Sequence, residues 1–150
     1  MMVAQDRLDT VLQVAGRNEE AAARALAQTG GHVSAQRAKL AELERFRSDY
    51  TQTFAESGEA GLSGHMLATR WRFIRHINDA IDHETTKLDQ LLAEFAARQQ
   101  QWSNARTRAE ALRKLRGRAV AQRLRVDARR EQTMSDEASR TPGRVRGLTI

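Results

Sequence analysis

The feature that most constrains this chain is a heptad pattern in a long segment without proline, residues 63–140. Apolar residues recur there at alternating steps of three and four, the a/d spacing of a coiled-coil seam. These seam positions are Ile74, Ile77, Ile81, Leu88, Leu91, Phe95, Trp102, Ala105, Ala109 and Leu112. Further along, they are occupied by Arg116, Ala119, Arg123, Val126 and Arg130. The segment predicts one long helix with a packing partner along its first two thirds and none along its last third.

The same spacing runs through the first fifty residues of the chain. The seam positions there are Leu8, Leu12, Ala15, Glu19, Ala22, Leu26, Thr29, Val33, Gln36, Leu40, Leu43, Arg47, Tyr50 and Phe54. Asp6 is the predicted N-cap of this first helix, since Asp is a favoured capping residue. Gly30 and Gly31 should each cost the helix about 1 kcal/mol relative to alanine, so we expect a bend or a mobile point there but not a break in the helix.

Turn residues divide the two heptad patterns and follow the second. Ser57-Gly58 and Gly61-Leu62-Ser63-Gly64 predict a hairpin tip over residues 57–64, with Ser63 capping the second helix. Thr141-Pro142-Gly143 is expected to stop that helix, and 141–150 to form a disordered tail. The predicted fold is all-α: one domain, residues 1–140, in which helices 5–56 and 65–140 form an antiparallel coiled-coil hairpin.

The relative lengths of the two helices support the hairpin. The first helix, folded back along the second, should end near residues 109–116, where the apolar seam fades. In one possible register, the residue numbers of facing seam residues add up to about 117. This register pairs Glu19 with Arg98 and Ala22 with Phe95. This register also brings Arg47 close to Arg70, which is unfavourable. A shift of one heptad is the alternative.

The composition excludes several classes of protein. The chain has no cysteine, so disulfides and thiolate metal sites are excluded. It has no apolar run of membrane-spanning length and no signal-peptide pattern, so we expect a soluble, cytoplasmic protein. No phosphate-binding loop, nucleophile elbow or HExxH motif is present. His76, Asp79 and His83 share one helix face, but at water-facing positions, which favours a solvated surface over a metal site. We therefore expect no catalytic residue, metal or cofactor.

The positive charge of the chain is concentrated near its C-terminus. Residues 105–150 contain 13 Lys+Arg and 5 Asp+Glu, a local charge of +8, within a net charge of +6 for the whole chain. Arg113, Arg116, Arg123 and Arg130 lie along the seam stripe, where no intrachain partner is expected. Three interpretations are open: a solvated helix, a nucleic-acid-binding helix over residues 106–130, or a helix that docks on an acidic protein surface.

Two phenylalanines lie beside the predicted seam. Phe46 and Phe73 occupy g positions, and the g edges of an antiparallel pair face the same side, so the two rings should lie close together. Leu43, Tyr50, Met66, Ile77 and Ala80 should surround them. Such an aromatic edge indicates either a partner-binding surface or rings that fold over the seam and widen a narrow core.

These residues together resemble a known family, the flagellar export protein FliJ. The resemblance covers residues 5–140 and rests on order and spacing. The matching elements are Leu40-x-x-Leu43-x-x-Phe46-x-x-x-Tyr50, a glycine-bearing tip, Phe73-Ile74-x-x-Ile77-x-x-Ala80-Ile81, Trp102 and Asp136-Glu137-Ala138-x-Arg140. The YscO-like proteins of virulence-type secretion are similar in architecture, as is the coiled coil of the rotary ATPase gamma subunit. Lys39 and Glu84 depart from the pattern, which suggests uncharged polar or histidine residues there.

The resemblance implies a non-catalytic component of the type III export apparatus. Such a protein couples the hexameric export ATPase to the export gate and assists chaperones and substrates, associated peripherally with the inner membrane. The implied contacts with the gate protein FlhA are Leu43, Phe46, Tyr50, Phe73, Ile77 and Ala80. Those with the ATPase are Arg113, Arg116, Arg123 and Arg130. The alternatives from other classes are a nucleic-acid-binding coiled coil and a generic coiled-coil scaffold.

Overall fold

The structure is a computed structural model that describes residues 2–56 and 63–145. It contains two helices, α1 (Met2–Glu56) and α2 (Gly64–Val145), and the described residues form no strand. The helices run antiparallel, since Gly30 lies against Phe95 whereas Phe54, later in α1, contacts Trp71, earlier in α2. The predicted all-α helical hairpin is therefore confirmed.

The sequence predicted an N-cap for each helix, and the structure confirms one of the two. Ser63 caps α2: the Met66 N–H donates to Ser63 Oγ at 3.3 Å, and the Leu67 N–H donates to the Ser63 carbonyl oxygen at 3.0 Å. The predicted cap at Asp6 is wrong, because α1 already begins at Met2 and Asp6 lies within the helix. There its carbonyl oxygen accepts a hydrogen bond from Thr10 Oγ1. Residues 57–62 of the predicted tip lie outside the described residues.

The end of α2 also differs from the prediction. The helix continues through Thr141-Pro142-Gly143 to Val145, so the expected stop at this tripeptide is wrong. Proline inside a helix removes one hydrogen bond and crowds the preceding turn, at a cost of about 3 kcal/mol, which need not end a long helix. Of the predicted disordered tail, residues 146–150 lie outside the described part of the chain. The assignment of residues 1–140 to one domain stays a prediction.

The seam predicted for α1 is the face that the helix buries. All fourteen heptad positions are buried or partly buried, and Ala15, Thr29, Val33 and Leu40 are the most enclosed of them. The corresponding α2 positions are enclosed from Ile74 to Leu112 and mostly exposed from Arg116 onward. The densest packing is a cluster of Leu40, Ile77 and Ile81, flanked by Leu43 and Leu88. Neither helix has, over the described residues, an apolar stretch long enough to cross a bilayer.

The glycine pair does not interrupt α1. A β-carbon at position 30 would lie 3.4 Å from Cε2 of Phe95, whereas one at position 31 would meet nothing within 4 Å. Gly30 therefore lets the large ring of Phe95 approach the α1 backbone, and Gly31 has no comparable packing role.

The helices pack as two compact units, which we call the end unit (Met1–Glu19 with Ala105–Ile150) and the tip unit (Glu20–Asn104). Within the tip unit, the residue numbers of two pairs in contact across the helices give the register. They add up to 120 for Gln36 and Glu84 and to 125 for Arg47 and Asn78. The register is therefore shifted from the sum of 117 by about one heptad, the alternative left open by the sequence. In this register Phe95 faces Gly30 instead of Ala22, and Arg47 donates to Asn78 at 3.1 Å instead of meeting Arg70.

Candidate partner-binding surfaces

An aromatic edge, which we define as Phe46, Tyr50 and Phe73, lies on one side of the tip unit. The rings of Phe46 and Phe73 are 6.2 Å apart between centroids and meet edge to face at 75°. Tyr50 packs on Phe73 at 4.7 Å. Phe46 is 51% exposed and Phe73 is 39% exposed, so the predicted proximity of the two rings is confirmed while both still face solvent.

Of the other residues that the sequence grouped with this edge, Met66 is 49% exposed, whereas Leu43, Ile77 and Ala80 lie deeper. Ile77 is only 6% exposed and belongs to the buried cluster, and Leu43 packs against that cluster. Ala80 is partly buried. These three residues form the support under the rings, and the rings themselves are the part that a partner can reach.

A second aromatic contact on the tip unit was missed by the sequence analysis. Trp71 is 54% exposed and meets Phe54 edge to face, with ring centroids 6.1 Å apart. The Arg70 guanidinium stands over the Phe54 ring at 5.1 Å, in cation–π geometry. Trp71 occupies an e position, beside the seam on the edge opposite Phe73. Its e position is the signal in the sequence, because e positions flank the seam in the same way as the g positions of Phe46 and Phe73.

A polar cluster replaces apolar packing at one point of the tip-unit seam. Glu84 is 8% exposed. Gln36 Nε2 donates to its carboxylate and, at 3.0 Å, to its backbone carbonyl oxygen. Lys39 Nζ lies 3.1 Å and Lys87 Nζ 3.7 Å from Glu84 Oε1. The hydrogen bond from Gln36, followed by that from Lys39, lowers the pKa of the Glu84 carboxyl from 4.5 to about 2.

Three of the four arginines proposed for ATPase contact have partners on α1, which corrects the expectation that none remains. Arg113 Nη2 donates to Glu19 Oε2 at 2.8 Å, and Arg116 Nε lies 3.0 Å from Asp9 Oδ1. Arg123 Nη1 donates to Gln5 Oε1 at 2.7 Å.

The expectation failed because α1 reaches further along α2 than a register with a sum of 117 allows, and because long arginine side chains reach across the helix pair. Within the described residues, Arg130 has no hydrogen bond or ion pair.

Beyond Arg123, the side chains of α2 up to Arg140 are exposed, except that of Val126, which is partly buried. A shallow open groove there is lined by Val126, Arg129, Arg130, Thr133 and Met134. Leu124 and Met134 are 65% and 69% exposed. We call residues 124–134 the terminal face. It combines arginines with apolar side chains, as the sequence pattern indicated for this part of the helix.

The described residues contain no cluster of acidic, histidine or cysteine side chains suited to a metal ion. Over residues 2–56 and 63–145, no three His, Cys, Asp or Glu side chains gather closely enough to hold a metal ion. His76, Asp79 and His83, which share a helix face, are all exposed.

A family model described as the flagellar FliJ protein matches residues 4–147. The match spans nearly the whole chain, including both helices and every surface described above. The chain belongs to the flagellar FliJ family. It is therefore a component of the flagellar export apparatus, in a family that is non-enzymatic. No curated protein matches the chain.

Lys39 and Glu84, the two positions at which the sequence departed from the resemblance, are joined by an ion pair at 3.1 Å in this chain. Lys87 and Gln36 also contact the Glu84 carboxylate, so its negative charge does not depend on Lys39 alone.

Proposed function

We propose that this chain couples the hexameric export ATPase to the export-gate protein FlhA during flagellar type III export, and assists the delivery of chaperones and substrates. It would act in the cytoplasm, associated peripherally with the export apparatus at the inner membrane. Family membership supports a place in this apparatus, and the surfaces of the two units support the individual contacts.

The observation that carries the gate contact is the exposure of the aromatic edge. Phe46 and Phe73 together keep large ring surfaces in water, although both lie next to a seam that could have buried them. Aromatic side chains are enriched at the centres of protein interfaces, where covering them with a partner releases the water around them. Ile77 and Leu43 hold the edge on a packed base, which limits the conformational entropy lost on binding.

The ATPase contact is proposed for the end unit, with one revision. Arg113, Arg116 and Arg123 are engaged with α1, so any ATPase contact through them has to share or displace Glu19, Asp9 and Gln5. Arg130 and the rest of the terminal face have no such competition among the described residues. We therefore assign the main ATPase contact to residues 124–134 and a supporting role to the three paired arginines.

The pairing of these arginines also bears on the nucleic-acid alternative. A helix that binds phosphates needs several free cationic side chains along one stripe. Three members of the stripe proposed here already have partners on α1. No observation favours this alternative over the export function.

The gate contact is tested with Phe46→Ala combined with Phe73→Ala. Because each ring is about half exposed, the double substitution should lower the free energy of unfolding by only about 1 kcal/mol per ring. Binding to the purified cytoplasmic region of the gate protein, measured by titration calorimetry, should weaken at least tenfold.

Trp71→Ala is the matched control, because Trp71 is as exposed as Phe46 and belongs to the same unit but lies on the opposite edge. It should leave gate affinity unchanged. Equal loss of gate affinity in both variants would refute the assignment of the contact to the aromatic edge. A loss of several kcal/mol of stability per ring would show that the rings belong to the core.

A further inference from the structure

The first four turns of α2 have an unusual charge pattern. Between Gly64 and Asn78 there is no Asp or Glu, while there are three arginines and two histidines. Helix N-termini normally attract acidic residues, because the backbone dipole places about half a positive charge there. The first turn of α2 has no acidic residue. This end of the helix therefore adds side-chain cations to a backbone that is already positive.

Four residues of this segment form a continuous helix face. Ala68, Trp71, Arg72 and Arg75 are spaced i, i+3, i+4 and i+7, and all four are exposed. Arg72 and Arg75 take part in no ion pair or hydrogen bond within the described residues. The first acidic residue that α2 offers is Asp79. We call these four residues the cationic face.

The neighbouring surface of α1 does not neutralise the cationic face. The e edges of the two helices in an antiparallel pair lie on the same side. On α1, the residues near Trp71 at the e position and at the adjacent b positions are exposed and uncharged. They are Ser48, Thr51 and Ala55. Asp49 and Glu56 occupy c positions, on the side of the aromatic edge. The first acidic residue along this α1 edge is Glu44, two turns before Thr51.

We propose that the cationic face binds the anionic surface of a phospholipid bilayer. Arginines are attracted to acidic headgroups within about a Debye length. Tryptophan favours the boundary between headgroups and acyl chains, because its ring is apolar and its N–H is polar. Trp71 beside two unpaired arginines supplies both interactions from one helix face.

A bilayer fits the cationic face better than an acidic protein does. A stable protein interface buries roughly 800 Å² on each partner and needs a shaped, complementary surface. Four residues on one convex helix face supply far less area. Adsorption to a bilayer needs no shape complementarity, since lipids rearrange around the side chains. The proposal is independent of the gate contact, because the aromatic edge lies on the opposite side of the seam.

The experiment uses the full chain with Trp102→Phe, which leaves Trp71 as the only tryptophan. Vesicles of phosphatidylcholine mixed with phosphatidylglycerol should shift the Trp71 emission to the blue, and brominated acyl chains should quench it. Arg72→Gln with Arg75→Gln should weaken this response about 25-fold, at roughly fivefold for each arginine. Circular dichroism checks that each variant keeps its helicity.

The matched control is Arg125→Gln with Arg129→Gln, which removes the same charge from the basic end of α2. This control should keep the Trp71 response, even if total sedimentation with the vesicles falls. The proposal is overturned if the protein sediments while Trp71 emission stays unchanged, since binding then occurs elsewhere. It is also overturned if pure phosphatidylcholine vesicles give the same shift. A Trp71 response to polyglutamate without one to anionic vesicles would replace the bilayer with an acidic protein.

Discussion

Replacing Gly30 and Gly31 separately by leucine isolates the contact between α1 and Phe95. Both glycines lie in the middle of α1 and differ mainly in what a side chain would meet. At position 30 the β-carbon alone would already lie 3.4 Å from the Phe95 ring, and the further atoms of leucine have to displace that ring. At position 31 the side chain extends into open space.

The size of each effect follows from these surroundings. Leucine in place of an exposed helical glycine stabilises the helix by about 1 kcal/mol, so Gly31→Leu should raise the melting temperature by about 3 °C. Gly30→Leu gains the same helix propensity but overpacks the seam at a cost of about 1–3 kcal/mol. The two variants should therefore melt about 3–9 °C apart, with Gly30→Leu the lower, in thermal melts followed by circular dichroism at 222 nm.

Phe95→Leu provides the internal check on this interpretation. Combined with Gly30→Leu it should recover much of the lost stability, because the smaller side chain vacates the space that the ring occupied. If the two leucine variants melt together above the wild type, the approach of Phe95 to Gly30 is not a packing constraint in solution. If Phe95→Leu gives no recovery, the loss at position 30 has another cause.

The remaining predictions concern charge. Because the pKa of the folded Glu84 carboxyl is about 2 instead of 4.5, its stabilising contribution is present above pH 4.5 and is lost as the pH falls towards 2. Glu84→Gln should remove this part of the pH dependence in thermal melts, and an unchanged pH profile would contradict the assignment. Deletion of residues 124–150 leaves the pairs of Arg113, Arg116 and Arg123 in place, so helicity per residue should persist while stimulation of the export ATPase is lost. Deletion of residues 141–150 alone should keep that stimulation, and equal loss from both deletions would contradict the role of the terminal face.

The seam was predictable from sequence because heptad periodicity reports burial directly. Leu40, Ile77 and Ile81, assigned to the seam from spacing alone, form the buried cluster. The register was not predictable to the same degree, since a repeating pattern pairs apolar with apolar after any shift of seven. The registers differ in how well particular side chains fit together, such as Phe95 against Gly30. A heptad pattern does not specify this fit.

The candidate sites likewise include features that the heptad pattern predicted and features that it did not. The proximity of Phe46 and Phe73 follows from two g positions on neighbouring helices, so the sequence was sufficient. The partners of Arg113 and Arg116 were missed because the register with a sum of 117 paired Glu19 with Arg98 and ended α1 short of Arg116. Glu84 illustrates a further limit: the sequence marked it, with Lys39, only as a departure from the resemblance, and the positions of Gln36 and Lys39 show why the seam accepts its charge.

The polar pairs across the tip-unit seam also determine how the two helices can move. A longitudinal slip of one heptad would separate Glu84 from Gln36 and Lys39, and Arg47 from Asn78, in a largely apolar interface. These polar contacts therefore resist slipping between the two helices even where the apolar spacing would tolerate it. The two helices of the tip unit should respond to an applied force as one body, because sliding of one helix along the other would first have to break these contacts.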